Sequence, residues 1–341
     1  MILQGDALSV LRSLPDESVQ MCLTSPPYYG LRDYDVDGQI GLEQKPEEYI
    51  TRLVEVFREV RRVLKSDGTL WVNIADSYTG SGKGSANYPD NAKKYKQGTN
   101  RGSVDKPIPI THADNCKPKD LIGIPWMLAF ALRADGWYLR QDIIWQKSNC
   151  MPESVRDRCT KSHEYIFLLS KSLHYYFDAE AISEPVAEST ITRYAQDIGA
   201  QKGSNRVPGR TNGPMKAALP RYGGKKYSEH PGQFYRTKSG HAYDFRPRRN
   251  KRDVWTVATT PFKGAHFATF PEKLVEPCIL AGSREEDTVL DPFSGAATTG
   301  VVCKRLGREY IGIELNPAYV ALSEKRIAET PDFSEQQNLF I

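Results

Sequence analysis

Cysteine is sparse and scattered in this sequence. The six residues Cys22, Cys116, Cys150, Cys159, Cys278 and Cys303 form no C-x-x-C pair and stand in no zinc-like spacing with histidine. That pattern argues against a disulfide framework or a bound metal and fits a reducing cytoplasm. Long apolar runs are missing as well. The most apolar stretch, LIGIPWMLAFAL, is too short to cross a bilayer and contains Pro125, and the N-terminal MILQGDALSV has no basic region ahead of an apolar one. Neither membrane insertion nor secretion is expected. G-x-G-x-x-G and internal repeats are also absent. What is present is a chain of 341 residues with 39% hydrophobic content, enough to bury the core of one large α/β domain carrying an insertion.

The formal charge of +4 is unevenly placed, because Ser183 to Trp255 holds fifteen Lys/Arg against six Asp/Glu, a local +9. This segment is rich in Gly, Pro and Tyr and follows neither a helical nor a strand period. Composition alone allows a solvated linker. Eight aromatics interleaved with the charge favour a nucleic-acid surface, where flat side chains stack on bases beside cations that hold phosphates. Arg246, Arg248, Arg249, Lys251 and Arg252 are the expected phosphate contacts.

Outside this insertion, strands and helices alternate. VQMCLT, TLWVNIAD, WYLRQDIIWQKS, EYIFLLSKS, TVLDPFSG and EYIGIEL read as strands. PEEYITRLVEVFREVRRVLKSDG, closed near Gly68, reads as an amphipathic helix, as do LIGIPWMLAFALRADG, FPEKLVEPCILAGS and the stretch from Ala297 to Leu306. Residues 77–119 show no periodicity and suggest a functional or mobile loop. In TVLDPFSGAATTG an apolar strand ends at Asp291 and enters a small-residue turn that opens a helix. A second strand ends in an acid, Glu314, 23 residues later. Such spacing suits a Rossmann-type nucleotide site beyond the carboxyl ends of parallel strands, with Gly295 allowing close backbone approach and the acid receiving ribose hydroxyls. A tight turn with solvent-facing acids is the plainer alternative.

TSPPYYGLRDY, then HFATFPEKLVEPCILAG, then VLDPFSGAATTG and YIGIELNP resemble the beta group of S-adenosylmethionine-dependent DNA amino-methyltransferases. The resemblance covers nearly the whole chain except the basic segment and the 77–119 loop. It implies a Rossmann-like methyltransferase fold, a mixed sheet flanked by helices. It also implies a circular permutation with the catalytic half (1–182) before the cofactor half (256–341), and a target-recognition insertion at 183–255. S-adenosylmethionine is the implied cofactor and double-stranded DNA the implied partner, with room for a homodimer and a cognate restriction endonuclease.

The chemistry can be argued from the residues. The exocyclic amino nitrogen of cytosine or adenine is a weak nucleophile, since its lone pair is delocalised into the ring. The Ser25 hydroxyl and the Pro26 carbonyl are placed to accept its two hydrogens and localise that pair, while Pro26 and Pro27 rigidify the acceptors. Tyr28 would stack on a base flipped out of the duplex. Asp6 resembles the family acid that reads the cofactor adenine, though GDAL equally suits a helix cap. HFATFP resembles the loop closing over the methionine portion, which implicates His266, Phe267 and Phe270, with aromatic core packing as the competing account. Phe293 belongs to the cofactor turn. Trp145 and Lys147 sit at a strand end expected to face the base pocket, or are a core Trp and a solvated Lys. Ala297 stands where many relatives have Gly, and a helical φ would tolerate it. Hydrogen bonding suits either base; the resemblance favours cytosine N-4, through the family association of Ser at the first motif position with N-4 and of Asp with adenine N-6, and adenine N-6 is the alternative. Cys278 follows Pro but lies in an expected helix, the wrong place for attack on a base. The intact motif residues argue against an inactive DNA-binding regulator.

Overall fold

The structure, a computed structural model, describes residues 1–31, 34, 36–79, 115–189, 234–236, 242–244, 248–260 and 270–333. It divides into two units, Met1–Ala181 with Arg252–Ile341, and Ile182–Lys251. His266, Phe267, Arg246 and most of the 77–119 loop lie outside the described residues.

The larger unit is built on a sheet of eight strands: β1 (Ile2–Gln4), β2 (Val19–Thr24), β3 (Leu64–Ile74), β4 (Tyr138–Gln146), β5 (His163–Ser170), β10 (Val254–Thr256), β11 (Thr288–Asp291) and β12 (Glu309–Glu314). They lie in the order β1-β12-β11-β2-β3-β5-β4-β10. All neighbours pair in parallel except β5, which runs antiparallel to both β3 and β4. The ends of β1, β2, β3, β4, β11 and β12 therefore share one edge of the sheet with the start of β5. Strands β11 and β12, expected to carry the cofactor motif, follow β2 and β3, expected to carry the catalytic one, in sequence, yet β11 lies beside β2 in space and β12 beside β11, consistent with the expected permutation. Val254 and Trp255, expected at the end of the insertion, form with Thr256 a strand that extends this sheet beside β4.

Helices cover the sheet. They are α1 (Ala7–Ser13), α2 (Pro46–Val63), α3 (Ile124–Ala134), α4 (Glu272–Gly282), α5 (Thr298–Arg305) and α6 (Pro317–Ala328). In α2, Pro46 sits in the first turn with Glu47 and Glu48, and Arg61 and Arg62 close the last turn, each charge matched to the nearer helix pole. Its buried Tyr49, Leu53, Val56, Phe57, Val60 and Val63 recur at helical spacing.

The expected end of α2 near Gly68 is wrong by several residues. The chain becomes strand at Leu64, and the register with β2 jumps from Val19↔Leu64 to Met21↔Thr69, so Lys65–Gly68 form an irregularity in β3 rather than a helix terminus. A Cβ at Gly68 would lie 2.9 Å from the Gln20 carbonyl oxygen. This glycine thus serves close approach of two strands, not capping. Sequence reading also missed β1, β10, α1 as a formed helix, and α6.

In the smaller unit β6 (Glu184–Pro185) pairs antiparallel with β9 (Arg248–Arg249), and β7 (Phe234–Arg236) with β8 (Ala242–Asp244). Arg248, expected on phosphate, donates to the Ser183 hydroxyl at 2.7 Å and to its carbonyl, and Arg249 pairs with Glu184 at 3.1 Å. Both guanidiniums brace the β6–β9 ribbon. Lys251 and Arg252 follow it, and the Arg252 carbonyl receives the Trp255 indole N–H at 2.7 Å.

Candidate active site

A cavity lies over the carboxyl edge of the larger unit's sheet. Ser25, Pro26, Pro27 and Tyr28 line one end, and Phe293, Ser294, Gly295, Glu314 and Asn316 the other. Asp6, Phe270 and the aromatic and aliphatic side chains of Leu31, Tyr34, Ile40 and Tyr319 complete the wall.

At the β12 end, Glu314 Oε2 accepts the Gly295 N–H at 2.9 Å and Oε1 accepts the Asn316 N–H at 2.8 Å. Burial pushes this carboxyl above its ordinary range, against the pull of those backbone bonds. Gly295 adopts φ +53°, a turn that brings backbone to the cavity without a side chain. Its carbonyl accepts the Ser323 hydroxyl at 2.6 Å, and Arg326 of the same helix, α6, donates to the Ala296 carbonyl at 2.8 Å. These braces were not foreseen, since their signal in sequence is only two polar residues on a moderately apolar helix.

Asp291 is placed differently from the expectation. Its carboxylate is buried and absent from the cavity wall. Oδ1 accepts the Thr24 hydroxyl at 2.6 Å and the Phe293 N–H at 3.1 Å, and Oδ2 accepts the Thr299 hydroxyl at 2.9 Å. Burial raises its pKa to about 6, with the three hydrogen bonds opposing. Asp291 is a clamp joining the tip of β2, the turn at 292–297 and the start of α5. Asp6 Oδ1 caps α1 through the Ser9 N–H at 2.9 Å, and the residue also lines the cavity. Ala297 departs from the helical φ expected of it, adopting φ +53°, a left-handed conformation that disfavours a Cβ.

At the β2 end the two tyrosines of SPPYY divide their work. Tyr29 is buried, with its ring 5.5 Å from that of Tyr49 and its hydroxyl on the Gln44 carbonyl at 3.1 Å. The Tyr49 hydroxyl holds the Pro27 carbonyl at 2.8 Å, so α2 fixes the loop from beneath. Among the described residues no donor is bonded to the Pro26 carbonyl. Tyr28 is half-buried, its hydroxyl donating to Glu164 Oε2 at 2.7 Å. Burial, then Glu164, keeps that phenol protonated far above its ordinary range. Asn73 Oδ1 lies 3.1 Å from the Tyr28 oxygen, and the Ser25 hydroxyl is 3.4 Å from both. Lys147 closes the network as the ion-pair partner of Glu164 Oε1.

Trp145 does not reach the cavity. It is 3% exposed, its indole N–H is bound to the Val257 carbonyl at 2.8 Å, and the Lys147 ammonium rests 4.6 Å from its ring centroid. The expectation of a tryptophan wall is corrected to a tryptophan beneath Lys147. Asn73 and Glu164 escaped sequence reading; each interrupts an otherwise apolar strand segment, LWVNI and HEYIFLL, and that interruption was the available signal.

The N6/N4 methyltransferase model, described as DNA methylase, matches residues 19–325. The chain belongs to the N6/N4 DNA methylase family. This methylase is 46% identical over 326 residues to the Citrobacter freundii type II methyltransferase M.Cfr9I, with 96% of the chain and 87% of the relative covered. It is 44% identical to M.SmaI of Serratia marcescens, covering 96% and 90%. In three dimensions it is similar to PvuII DNA methyltransferase (cytosine-N4-specific), with a TM-score of 0.57 at 17% identity over 99% of this chain and 90% of the other. It is also similar to Thermus thermophilus TTHA0409 complexed with S-adenosyl-L-methionine, with a TM-score of 0.54 at 21% identity over 96% and 95%. The methylase family uses S-adenosylmethionine as methyl donor, and its members act on DNA. No helix among the described residues is long and apolar enough to cross a membrane.

Proposed function

We propose that the chain methylates cytosine in DNA at the exocyclic N-4 nitrogen, with Ser25 and the Pro26 carbonyl as the acceptors of the amino hydrogens. The observation that carries this reading is one cavity with SPPY at one end and the Gly295–Glu314 turn at the other. A cationic donor, carrying a sulfonium and an ammonium, fits a wall with two acids, Asp6 and Glu314, and an apolar cover. Glu314 would receive the ribose hydroxyls, Asp6 the adenine amino group, Gly295 the close backbone approach, and Phe293 and Phe270 the flat apolar contact. When bound, S-adenosylmethionine supplies the electrophilic methyl group.

The chain's own contribution is orientation. Prolines 26 and 27 fix φ at the acceptors. Two hydrogen bonds taken from the amino group make its nitrogen pyramidal and direct the lone pair. The Tyr28 ring offers a stacking face worth ~1–3 kcal/mol, similar to the few kcal/mol that unstacking a base costs. The neutral hydroxyl of Ser25 at the head of the motif is what favours cytosine, by the family association of Ser with N-4 and Asp with N-6. Lys251, Arg252 and the basic segment would contact phosphates. The relatives M.Cfr9I and M.SmaI are named type II methyltransferases, which supports a role opposite a cognate endonuclease in a restriction-modification pair.

The test is to incubate DNA with the protein and donor, digest it to nucleosides and identify the product by mass spectrometry. 4-Methylcytosine is expected. 6-Methyladenine as the only modified nucleoside would overturn the base assignment, and no modified base would overturn the reading.

A further inference from the structure

The side chains behind Tyr28 set the direction of a hydrogen-bond chain, and proton positions can be counted. Glu164 is 8% exposed, so its charge must be compensated in place. One oxygen faces Lys147, and the other accepts both the Tyr28 hydroxyl at 2.7 Å and the Asn73 amide at 3.2 Å. The same amide nitrogen donates to the Tyr165 carbonyl at 3.1 Å. These two acceptors fix the Asn73 side chain with its oxygen toward Tyr28 and Ser25. Tyr28 has one proton, and the carboxylate, charged and nearest, takes it. The Tyr28 oxygen and Asn73 Oδ1 are then left as acceptors, each 3.4 Å from the Ser25 hydroxyl. Ser25 therefore turns its own proton inward, which leaves its lone pairs facing the cavity.

We propose that Glu164 is a positioning residue, held by Lys147, that polarises the chain Ser25 to Tyr28 to Glu164 so that Ser25 meets the target amino group as an acceptor. The inference rests on the reading of Ser25 given under the proposed function. It follows from sheet topology, because β5 alone in this sheet runs backwards and so delivers a residue near its start to the edge where β2, β3 and β4 end. In register, Glu164 stands opposite Trp145, two residues before Lys147. A carboxylate is required rather than any polar group. Lys147 on one side and Tyr28 with Asn73 on the other both need acceptors, and an amide has only one acceptor end. A second cation nearby, Lys161, is engaged with the Asp76 carbonyl at 2.7 Å and does not replace Lys147.

The experiment measures single-turnover methylation of a DNA duplex, with donor affinity by calorimetry and melting temperature as controls. Glu164→Gln should lose tenfold or more in rate while donor affinity stays within twofold. Adding Lys147→Met frees the amide to turn its carbonyl to Tyr28 and Asn73, and the double variant should be at least fivefold faster than Glu164→Gln, whereas loss of mere packing would make it slower. A wild-type rate for Glu164→Gln, or a double variant no faster than it, overturns the proposal. Should Glu164→Gln not fold, the comparison is between Lys147→Met/Glu164→Gln and Lys147→Met/Glu164→Met, equally uncharged but differing in the acceptor. The Gln form should be at least tenfold faster, and equal rates overturn the proposal. Ser25→Ala separates the two readings: an undiminished rate there removes Ser25 as the acceptor, whereas a loss there with an unaffected Glu164→Gln removes only the role of Glu164.

Discussion

The tips of β11 and β12 look alike in sequence and do opposite things in the fold. Each ends in an acid followed by a turn into a helix. Glu314 keeps its carboxylate on the cavity wall with one backbone N–H on each oxygen. Asp291 turns its carboxylate into the sheet, where Thr24, Phe293 and Thr299 consume it. Both strands are interior to the sheet, β11 between β2 and β12 and β12 between β11 and β1, so the difference lies in what the neighbours bring. The Thr24 hydroxyl at the tip of β2 and the Thr299 hydroxyl of α5 reach Asp291, whereas Glu314 is held by two backbone N–H groups. An acid at a strand end therefore becomes a ligand or a clamp according to its neighbours. The same rule divides Tyr28, facing the cavity, from Tyr29, buried one residue later.

The strongest way to break this comparison is Asp291→Ala. It leaves two hydroxyls and one N–H without their acceptor, each costing ~1–3 kcal/mol when buried, so a loss of at least about 3 kcal/mol is expected in denaturant unfolding. A stable Asp291→Ala protein with weakened donor binding alone would make Asp291 a ligand after all.

Asp291→Asn sharpens the contrast through pH. The folded carboxyl titrates at about 6, above its ordinary 3.8, so the folded state holds the proton more tightly than the unfolded chain. Its contribution to stability is complete below about pH 4 and is lost as pH rises through 6. Relative to wild type, the Asn variant should gain about 2–3 kcal/mol between pH 4 and 7. A difference that stays flat over that range would contradict the buried position.

Glu314→Ala should do the reverse of Asp291→Ala. Charge-assisted hydrogen bonds to the donor are worth ~1.5–3 kcal/mol, so donor affinity should fall about 10- to 100-fold by calorimetry. The loss of stability should be smaller than in Asp291→Ala, because the Gly295 and Asn316 N–H groups it releases are only part-buried and within reach of water. Unchanged affinity would move the donor site elsewhere.

The smallest effect is expected at Ala297, where relief of the left-handed strain by Ala297→Gly should outweigh the added freedom of the unfolded chain and stabilise by about 0.5–1 kcal/mol. A loss in thermal unfolding would show that the Ala297 methyl is needed for packing.

Strand and helix rhythm, the order of the motifs and the turn at Gly295 were legible because each depends on local period, small residues or a fixed φ. The α2 terminus was misread because Gly68 has two uses, helix end and close strand approach, and only the presence of the Gln20 carbonyl 2.9 Å from its missing Cβ decides between them. Arg248 and Arg249 read as phosphate contacts, and only the pairing of β6 with β9 shows that Ser183 and Glu184 stand against them.

By itself the sequence determined which chemical groups stand at strand tips, and hence the family and reaction class. Only the tertiary structure decided which of those groups face the cavity. Thr24 meets Asp291 across 267 positions, and Glu164 meets Tyr28 across 136. No local pattern encodes such pairs, because a buried side chain takes its direction from the acceptors and donors that other strands bring to it.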